Sequence, residues 1–211
     1  MLESIRVEHT TKSGDPVGAS SAQRSVARDS TFDTRRFRNA LGRFASGVTV
    51  ITAYYEGRPH GMTANSFVSV SLDPPLVLVS LDNRSSMHRV LPVVRRYGIT
   101  VLRDDQEPLS NHFAGRIVQN LHVRFIERQG IPLLHGGVAH FVVDLVDAHP
   151  AGDHTLYIGR VEHFEWNDEK PLLFHAGRYG RLHAERAAAA AAAWPQDEFS
   201  LFSIGGFEPP V

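Results

Sequence analysis

The sequence predicts a mostly β domain with a few short helices, built as an antiparallel barrel. Three observations point there. Roughly six runs rich in β-branched and aromatic residues recur through the middle of the chain. Turn chemistry such as Glu56-Gly57-Arg58-Pro59 and Asp73-Pro74-Pro75 separates them. The helical patterns are short and do not alternate regularly with the strands, which argues against a doubly wound parallel sheet.

A helix opens the ordered region. Asp33 is placed to cap it, and Phe37, Ala40, Leu41 and Phe44 recur at i, i+3, i+4 and i+7, so one face is apolar until Gly47 ends the pattern. Residues 48–54 (VTVITAY) predict a strand that enters a hairpin through 56–59. Residues 61–72 continue it, with Phe67, Val68, Val70 and Leu72 interleaved with Ser69 and Ser71. Residues 76–81 (LVLVSL) are continuously apolar, as expected of a strand buried on both faces. Ser85 or Ser86 then caps a helix running to Val94, 97–102 predicts a strand, and 107–116 a second short helix. Two long strands, 139–148 and 155–166, are joined by the turn 149–153. Leu172, Leu173 and Phe174 form a last short strand.

The ends differ in character. Residues 1–30 are rich in Ser, Thr, Arg and Gly without periodicity and predict a disordered arm. Residues 184–211 combine an alanine run, expected to be helical until Pro195 stops it, with an apolar tail. The domain itself is expected over 31–183.

Composition narrows the function. The chain has 211 residues, of which 42% are hydrophobic and 21% charged. Its 22 Lys+Arg against 23 Asp+Glu leave no basic excess for nucleic acid or an anionic membrane surface. With no cysteine, disulfides, Fe–S clusters and thiol catalysis are excluded. The first 30 residues carry no apolar signal core, and no run approaches the ~18 apolar residues of a membrane span, so a cytoplasmic setting is expected. There is no G-x-G-x-x-G, no Walker motif and no G-x-S-x-G. Twelve histidines raise a metal question, but none lies in H-x-H or H-E-x-x-H. The near pairs His135/His140 and His149/His154 are each five apart, so no metal is expected.

Four segments carry information. Residues 60–75 place Thr63, Asn65, Ser66, Ser69 and Ser71 close together. They are either an edge strand with an exposed hydroxyl face or a wall for a phosphate or the polar edge of a ring. Residues 80–86 (SLDNRSS) lead from a buried strand to a helix start, which is either a plain cap or an anion site built from free amides. Gly152-Asp153-His154 opens a strand; His154 is a turn residue or a donor standing over a ligand ring. Gly177-Arg178-Tyr179-Gly180 offers Tyr179 as a rim aromatic or a stacking group.

Taken in order, these segments resemble the flavin reductase-like family, the short-chain NAD(P)H:flavin oxidoreductases of two-component flavin monooxygenases. The resemblance rests on 37–52 (FRNALGRFASGVTVIT), 60–82 (HGMTANSFVSVSLDPPLVLVSLD) and Val101-Leu102 with Asp105, Gln106, Leu109, Ser110, Phe113 and Ala114. It continues through 152–156 (GDHTL), Gly159 and Val161, and ends on Pro171-Leu172-Leu173, Gly177 and Tyr179. It implies an FMN-binding split β-barrel that works as a homodimer, FMN or FAD as cofactor, and a monooxygenase receiving reduced flavin. It also implies roles. Thr63, Ala64, Asn65 and Ser66 contact the flavin, and Ser80, Leu81, Asp82 and Asn83 run along it. Ser85 and Ser86 hold its phosphate, and Ser110, Phe113 and Ala114 form part of the wall. His154, the one candidate catalytic side chain, and Tyr179 lie near the nicotinamide.

Hydride transfer explains the lack of an evident acid–base pair, because the two cofactors carry the electronics and the protein need only stack and orient them. No arginine cluster in the sequence signals a 2′-phosphate, which favours NADH over NADPH. A flavin carrier without reductase activity and a split-barrel oxidase or heme binder are the competing readings. Gly152-Asp153-His154 together with Tyr179 favours the enzyme, since a carrier needs no nicotinamide position.

Overall fold

The computed structural model describes residues 32–116 and 118–182. The arm expected over 1–30 and the alanine-rich helix and tail expected over 184–211 lie outside the described residues.

Helix α1 (Thr34–Leu41) precedes a short strand β1 (Ser46–Gly47). Next come β2 (Thr49–Tyr55), β3 (Arg58–Ala64), β4 (Phe67–Leu72) and β5 (Pro75–Asp82), then α2 (Ser86–Val94), β6 (Arg96–Val101) and α3 (Glu107–Phe113). A small hairpin β7 (Phe125–Arg128) and β8 (Ile131–Leu134) precedes the long pair β9 (Ala139–Ala151) and β10 (His154–Trp166). Strands β11 (Leu173–His175) and β12 (Arg178–Gly180) close the described chain.

Among the described residues, seven strands form one antiparallel sheet in the order β3-β2-β6-β9-β10-β5-β4. The ladder is open, not the closed barrel that the strand pattern predicts. Its edges are β3 and β4, consecutive in the chain but unpaired. The corner between them, Asn65-Ser66, separates the two strands. On one side Thr63 Oγ1 donates to the Ser110 carbonyl on α3; on the other Ser66 Oγ donates to the Ser80 carbonyl on β5, both at 2.7 Å.

Turn chemistry sets the hairpins. Glu56 and Gly57 both have positive φ, 51° and 71°, as a two-residue type I′ turn requires, so the predicted four-residue turn tightens. Gly152 (φ 67°) opens an equally tight link between β9 and β10, and most of the expected turn 149–153 is strand. The β7–β8 hairpin, which the sequence reading leaves as loop, turns on Gln129-Gly130 with φ of 50° and 77°. It docks on the sheet through two threonines. Thr52 Oγ1 donates to the Pro132 carbonyl, and the Leu134 amide donates to Thr100 Oγ1 at 3.1 Å.

The largest core cluster packs Ile51, Val79, Leu81, Tyr97, Ile99 and Val143 under Met87, Val90 and Leu91 of α2. Pro92 inside α2 has no N–H and leaves the His88 carbonyl without a helical donor. The Tyr157 hydroxyl donates to that carbonyl at 3.2 Å and also lies 2.7 Å from His88 Nδ1. A second cluster joins Val48, Val50, Leu102, Leu134 and Leu172 on the other side of β2, which is why that central strand is buried along most of its length.

Three element-level expectations change. The first helix ends at Leu41, not near Gly47. The Arg43 and Phe44 amides bond three residues back, to Ala40 and Leu41, and Ser46–Gly47 instead pairs with β11. Its expected core face is exposed, with no α1 residue buried. On β4 the exposed face carries Val68, Val70 and Leu72 rather than hydroxyls alone. Strand β5 buries Val77, Val79 and Leu81 fully, but its other face is only half-buried.

Candidate flavin and dinucleotide site

Segment 171–175 brings the end of the chain to the site. The Val48 amide donates to the Leu172 carbonyl and the Leu172 amide to the Leu102 carbonyl, at 3.2 and 2.8 Å. This fixes the β11–β12 hairpin, whose tight turn Ala176-Gly177 has positive φ at both positions. The hairpin borders a cavity of about 490 Å³ that also has Thr63, Ala64 and Asn65 on its wall, together with Ser110 and Ala114. That size suits a small-molecule site.

One polar network holds this cavity together. Ser110 Oγ and the Tyr179 hydroxyl are 2.8 Å apart, and Tyr179 also donates to Asn111 Oδ1 at 3.4 Å. Ser110 is fully buried, and its carbonyl accepts the Thr63 bond. Strand β3, helix α3 and strand β12 therefore converge on one serine. Ala64 is buried, and its carbonyl accepts from Thr49 Oγ1 at 2.7 Å. Asn65 is exposed at the corner.

Six of the predicted residues thus come together: Thr63, Ala64, Asn65, Ser110, Ala114 and Tyr179. Ser66 and Ser80 form the bridge to the rest, since the Ser80 amide also donates to Ser66 Oγ at 3.2 Å. Beyond that bridge, the β5–α2 turn makes a second group. The Ser85 hydroxyl accepts the His88 amide at 3.2 Å, a true N-cap, whereas Ser86 is exposed at the first helical position. Both sit where α2 presents unpaired amides and the positive end of its dipole.

Several side chains of these segments are engaged within the chain itself. Leu81 is fully buried in the core, so only its main chain is available to a ligand. Asn83 is a staple: its Oδ1 accepts from Thr155 Oγ1 at 2.8 Å and its amide donates to the Asp153 carbonyl at 3.0 Å. Phe113 is not on the cavity wall; its ring packs against Gly61, where an added Cβ would sit 2.6 Å from it, and edge-on to Phe125. Arg84 curls back on Asp82, with contacts of 2.7 and 3.1 Å, so its charge is already matched. The same guanidinium and the Arg84 amide hold the Asp82 carboxyl well below the usual carboxylate range.

His154 lies opposite Asp82 in the β5–β10 register, at the α2 end. Its Nδ1 is 2.7 Å from Asp153 Oδ1, a bond that lowers the Asp153 carboxyl below its ordinary value. His154 and Tyr179, both assigned to the nicotinamide, are not on one cavity: Tyr179 lines the cavity described above and His154 does not. Motif order carries no distance between β10 and β12.

Sequence reasoning missed Arg116, Arg178, Glu107 and Phe174, which also line the cavity. Arg178 was within reach, because it stands beside Tyr179 after a two-residue turn. Arg116 had no local signal; an arginine after a short helix reads as a C-terminal cap. An adjoining cavity of about 610 Å³ shares Asn65, Phe174 and Gly177 with the first and is lined by Arg38 and Arg43. Among the described residues no cluster of three His, Asp or Glu side chains is placed to hold a metal. No described helix is long and apolar enough to cross a membrane.

The donor set suits a flavin: hydroxyls, a free carboxamide and peptide amides along one corner, with a helix N-terminus beyond. Comparison with known proteins agrees. Residues 41–183 match the family model described as flavin reductase like domain, and the chain belongs to that family. An NADH-dependent flavin reductase from a Rhodococcus species is 51% identical over 148 residues, 69% of this chain and 84% of that protein. The reductase component of 4-hydroxyphenylacetate 3-monooxygenase from Thermus thermophilus is 38% identical, covering 69% of this chain and 95% of that one. The solved structure of Streptomyces globisporus NADH:FAD oxidoreductase SgcE6, in complex with NAD and FAD fragments, is 36% identical with a TM-score of 0.68. It covers 72% of this chain and 94% of that one.

Proposed function

We infer that this chain is an NADH-dependent flavin reductase that passes a hydride to FMN or FAD and supplies reduced flavin to a partner monooxygenase. The observation that carries this reading is the Thr63–Ser66 corner, where β3 ends on a cavity bounded by Ser110 and Tyr179. Relatives named as reductases, one of them a monooxygenase component, support it.

A bound flavin supplies the electron-accepting ring, and the nicotinamide supplies the hydride. The protein's part is placement. Holding two rings in a reactive stack is worth up to roughly 7–11 kcal/mol of barrier. Asn65 and the adjacent peptide groups take the polar edge of the ring, and Ser110, held by Tyr179, keeps the wall rigid. Ser85, Ser86 and the first amides of α2 take the flavin phosphate. His154, oriented by Asp153, positions the nicotinamide amide instead of moving a proton. In this reading the open sheet is one half of a split barrel, the working unit is a homodimer and the setting is the cytoplasm, where NADH is made.

Anaerobic mixing with NADH and either flavin tests the reading. Loss of the oxidised flavin absorbance is expected with at least one of them. No bleaching with FMN or FAD, at saturating NADH, overturns it.

A further inference from the structure

We propose that Arg116 and Arg178 form an anion-holding end of the site that takes the diphosphate of a dinucleotide, distinct from the α2 end that takes the flavin monophosphate. The inference rests on the flavin reductase reading for its ligands, but not for its geometry.

The geometry is as follows. Both arginines line the cavity of about 490 Å³. Among the described residues Arg84, Arg96, Arg103, Arg128 and Arg160 are each tied to a carboxylate within 3.1 Å. Arg116 and Arg178 have no such partner there, and they face a concave wall. Arg116 is held in place without being neutralised: its Nη1 donates to Asn111 Oδ1 at 3.1 Å, the same oxygen that accepts from Tyr179. Arg178 follows the β11–β12 turn, where a Cβ on Gly177 would meet nothing within 4 Å, so the hairpin tip is open beside the cavity. The adjoining cavity continues the positive lining with Arg38 and Arg43 and shares the Asn65 and Gly177 edge. The one carboxylate on these walls is Glu107.

Two forks of five N–H donors each match a diphosphate, which offers oxygens on two phosphorus atoms, better than a lone monoester phosphate. At the α2 end Arg84 is matched by Asp82 and Arg89 stands one turn into the helix, so that end offers hydroxyls, amides and a single unmatched arginine rather than two arginines on one cavity. The molecule thus has two anion ends with different chemistry, joined by the Thr63–Ser66 corner and the Ser66–Ser80 bond. A dinucleotide diphosphate comes from NADH or from FAD, and the experiment separates them.

The test measures direct binding by calorimetry of ADP-ribose, FMN and FAD to the full chain, wild type and the double variant R116A/R178A, with R116K/R178K as the charge-retaining control. An NADH origin predicts that ADP-ribose affinity falls roughly tenfold or more while FMN affinity is unchanged. An FAD origin predicts the same loss for FAD and none for FMN. The lysine variant should recover part of either loss, which a folding defect would not. The proposal is overturned if neither ADP-ribose nor FAD binding changes, if wild type binds neither, or if FMN affinity falls as far as theirs. A wild type that binds ADP-ribose through these arginines yet never bleaches flavin would sink the reductase reading and leave this one standing.

Discussion

Ser85 and Ser86 are neighbours in sequence with separable jobs. Ser85 accepts the His88 amide at its hydroxyl oxygen and keeps its O–H for the phosphate, so Ser85→Ala is expected to cost about 0.5–2 kcal/mol of stability, read as a lower urea midpoint, as well as FMN affinity. Ser86 is exposed and is no cap, so Ser86→Ala should leave the urea midpoint unchanged and weaken FMN binding severalfold. Equal FMN affinity in Ser86→Ala and wild type would remove the phosphate from that end. His154 has the opposite profile. His154→Ala is expected to raise the NADH KM more than it weakens flavin binding; steady-state kinetics beside a flavin titration decide it, and a collapse of flavin affinity at constant KM contradicts the assignment. At this scale the sequence exposes residue types but not their engagements. The stretch 80–86 reads as a row of ligand donors, yet Asn83 is consumed by Thr155 and the Asp153 carbonyl, and Arg84 by Asp82. Those bonds join segments about 70 residues apart or close on a neighbour, and no local pattern encodes them.

Elements were legible where a period or a turn dictates them. The β2–β3, β4–β5 and β9–β10 pairs follow from alternation and from turn residues able to take positive φ or end a strand. They were illegible where the outcome depends on a distant partner. Helix α1 shows an apolar stripe of which no residue is fully buried, and the β7–β8 hairpin docks on Thr52 and Thr100. Gly159 shows what the family-like spacing conceals. It sits at an irregularity in the β9–β10 register, and a Cβ there would strike the Val143 side chain and approach the Tyr97 hydroxyl to 2.7 Å. Tyr97 and Val143 are both fully buried, so neither has room to yield. Gly159→Ala should therefore lower stability by about 1–3 kcal/mol, measured by chemical denaturation, with flavin binding retained in the folded fraction. A midpoint equal to wild type would mean that the strand can shift there.

For the molecule as a whole, acid sensitivity and assembly follow from what is buried and what is left bare. His140 is buried, with Nε2 at 2.7 Å from the Leu134 carbonyl and Nδ1 at 3.6 Å from Glu165; Arg128 and His135 also act on it. Burial depresses its pKa, so the folded protein keeps the ring neutral at a pH where the unfolded chain binds a proton. Stability is therefore lost as pH falls below about 6.5, and the gap in urea midpoint between wild type and H140Q should narrow from pH 7 to pH 5. Assembly turns on the opposite problem. Strand β4 is a sheet edge whose bare face shows Val68, Val70 and Leu72, with Leu72 81% exposed, and α1 adds Leu41. A long apolar edge strand invites association unless something covers it, and neither charge nor proline protects β4 itself. A second copy, as the split-barrel reading requires, would cover such a face. Sedimentation is then expected to give twice the 23.4 kDa chain mass, and Val70→Lys, pointing into solvent in the single chain, should shift the mass toward one copy without lowering the strand content by circular dichroism. A wild-type chain that sediments as a monomer at micromolar concentration, with flavin bound, would show that the cavity formed by β3, α3 and β12 is sufficient alone.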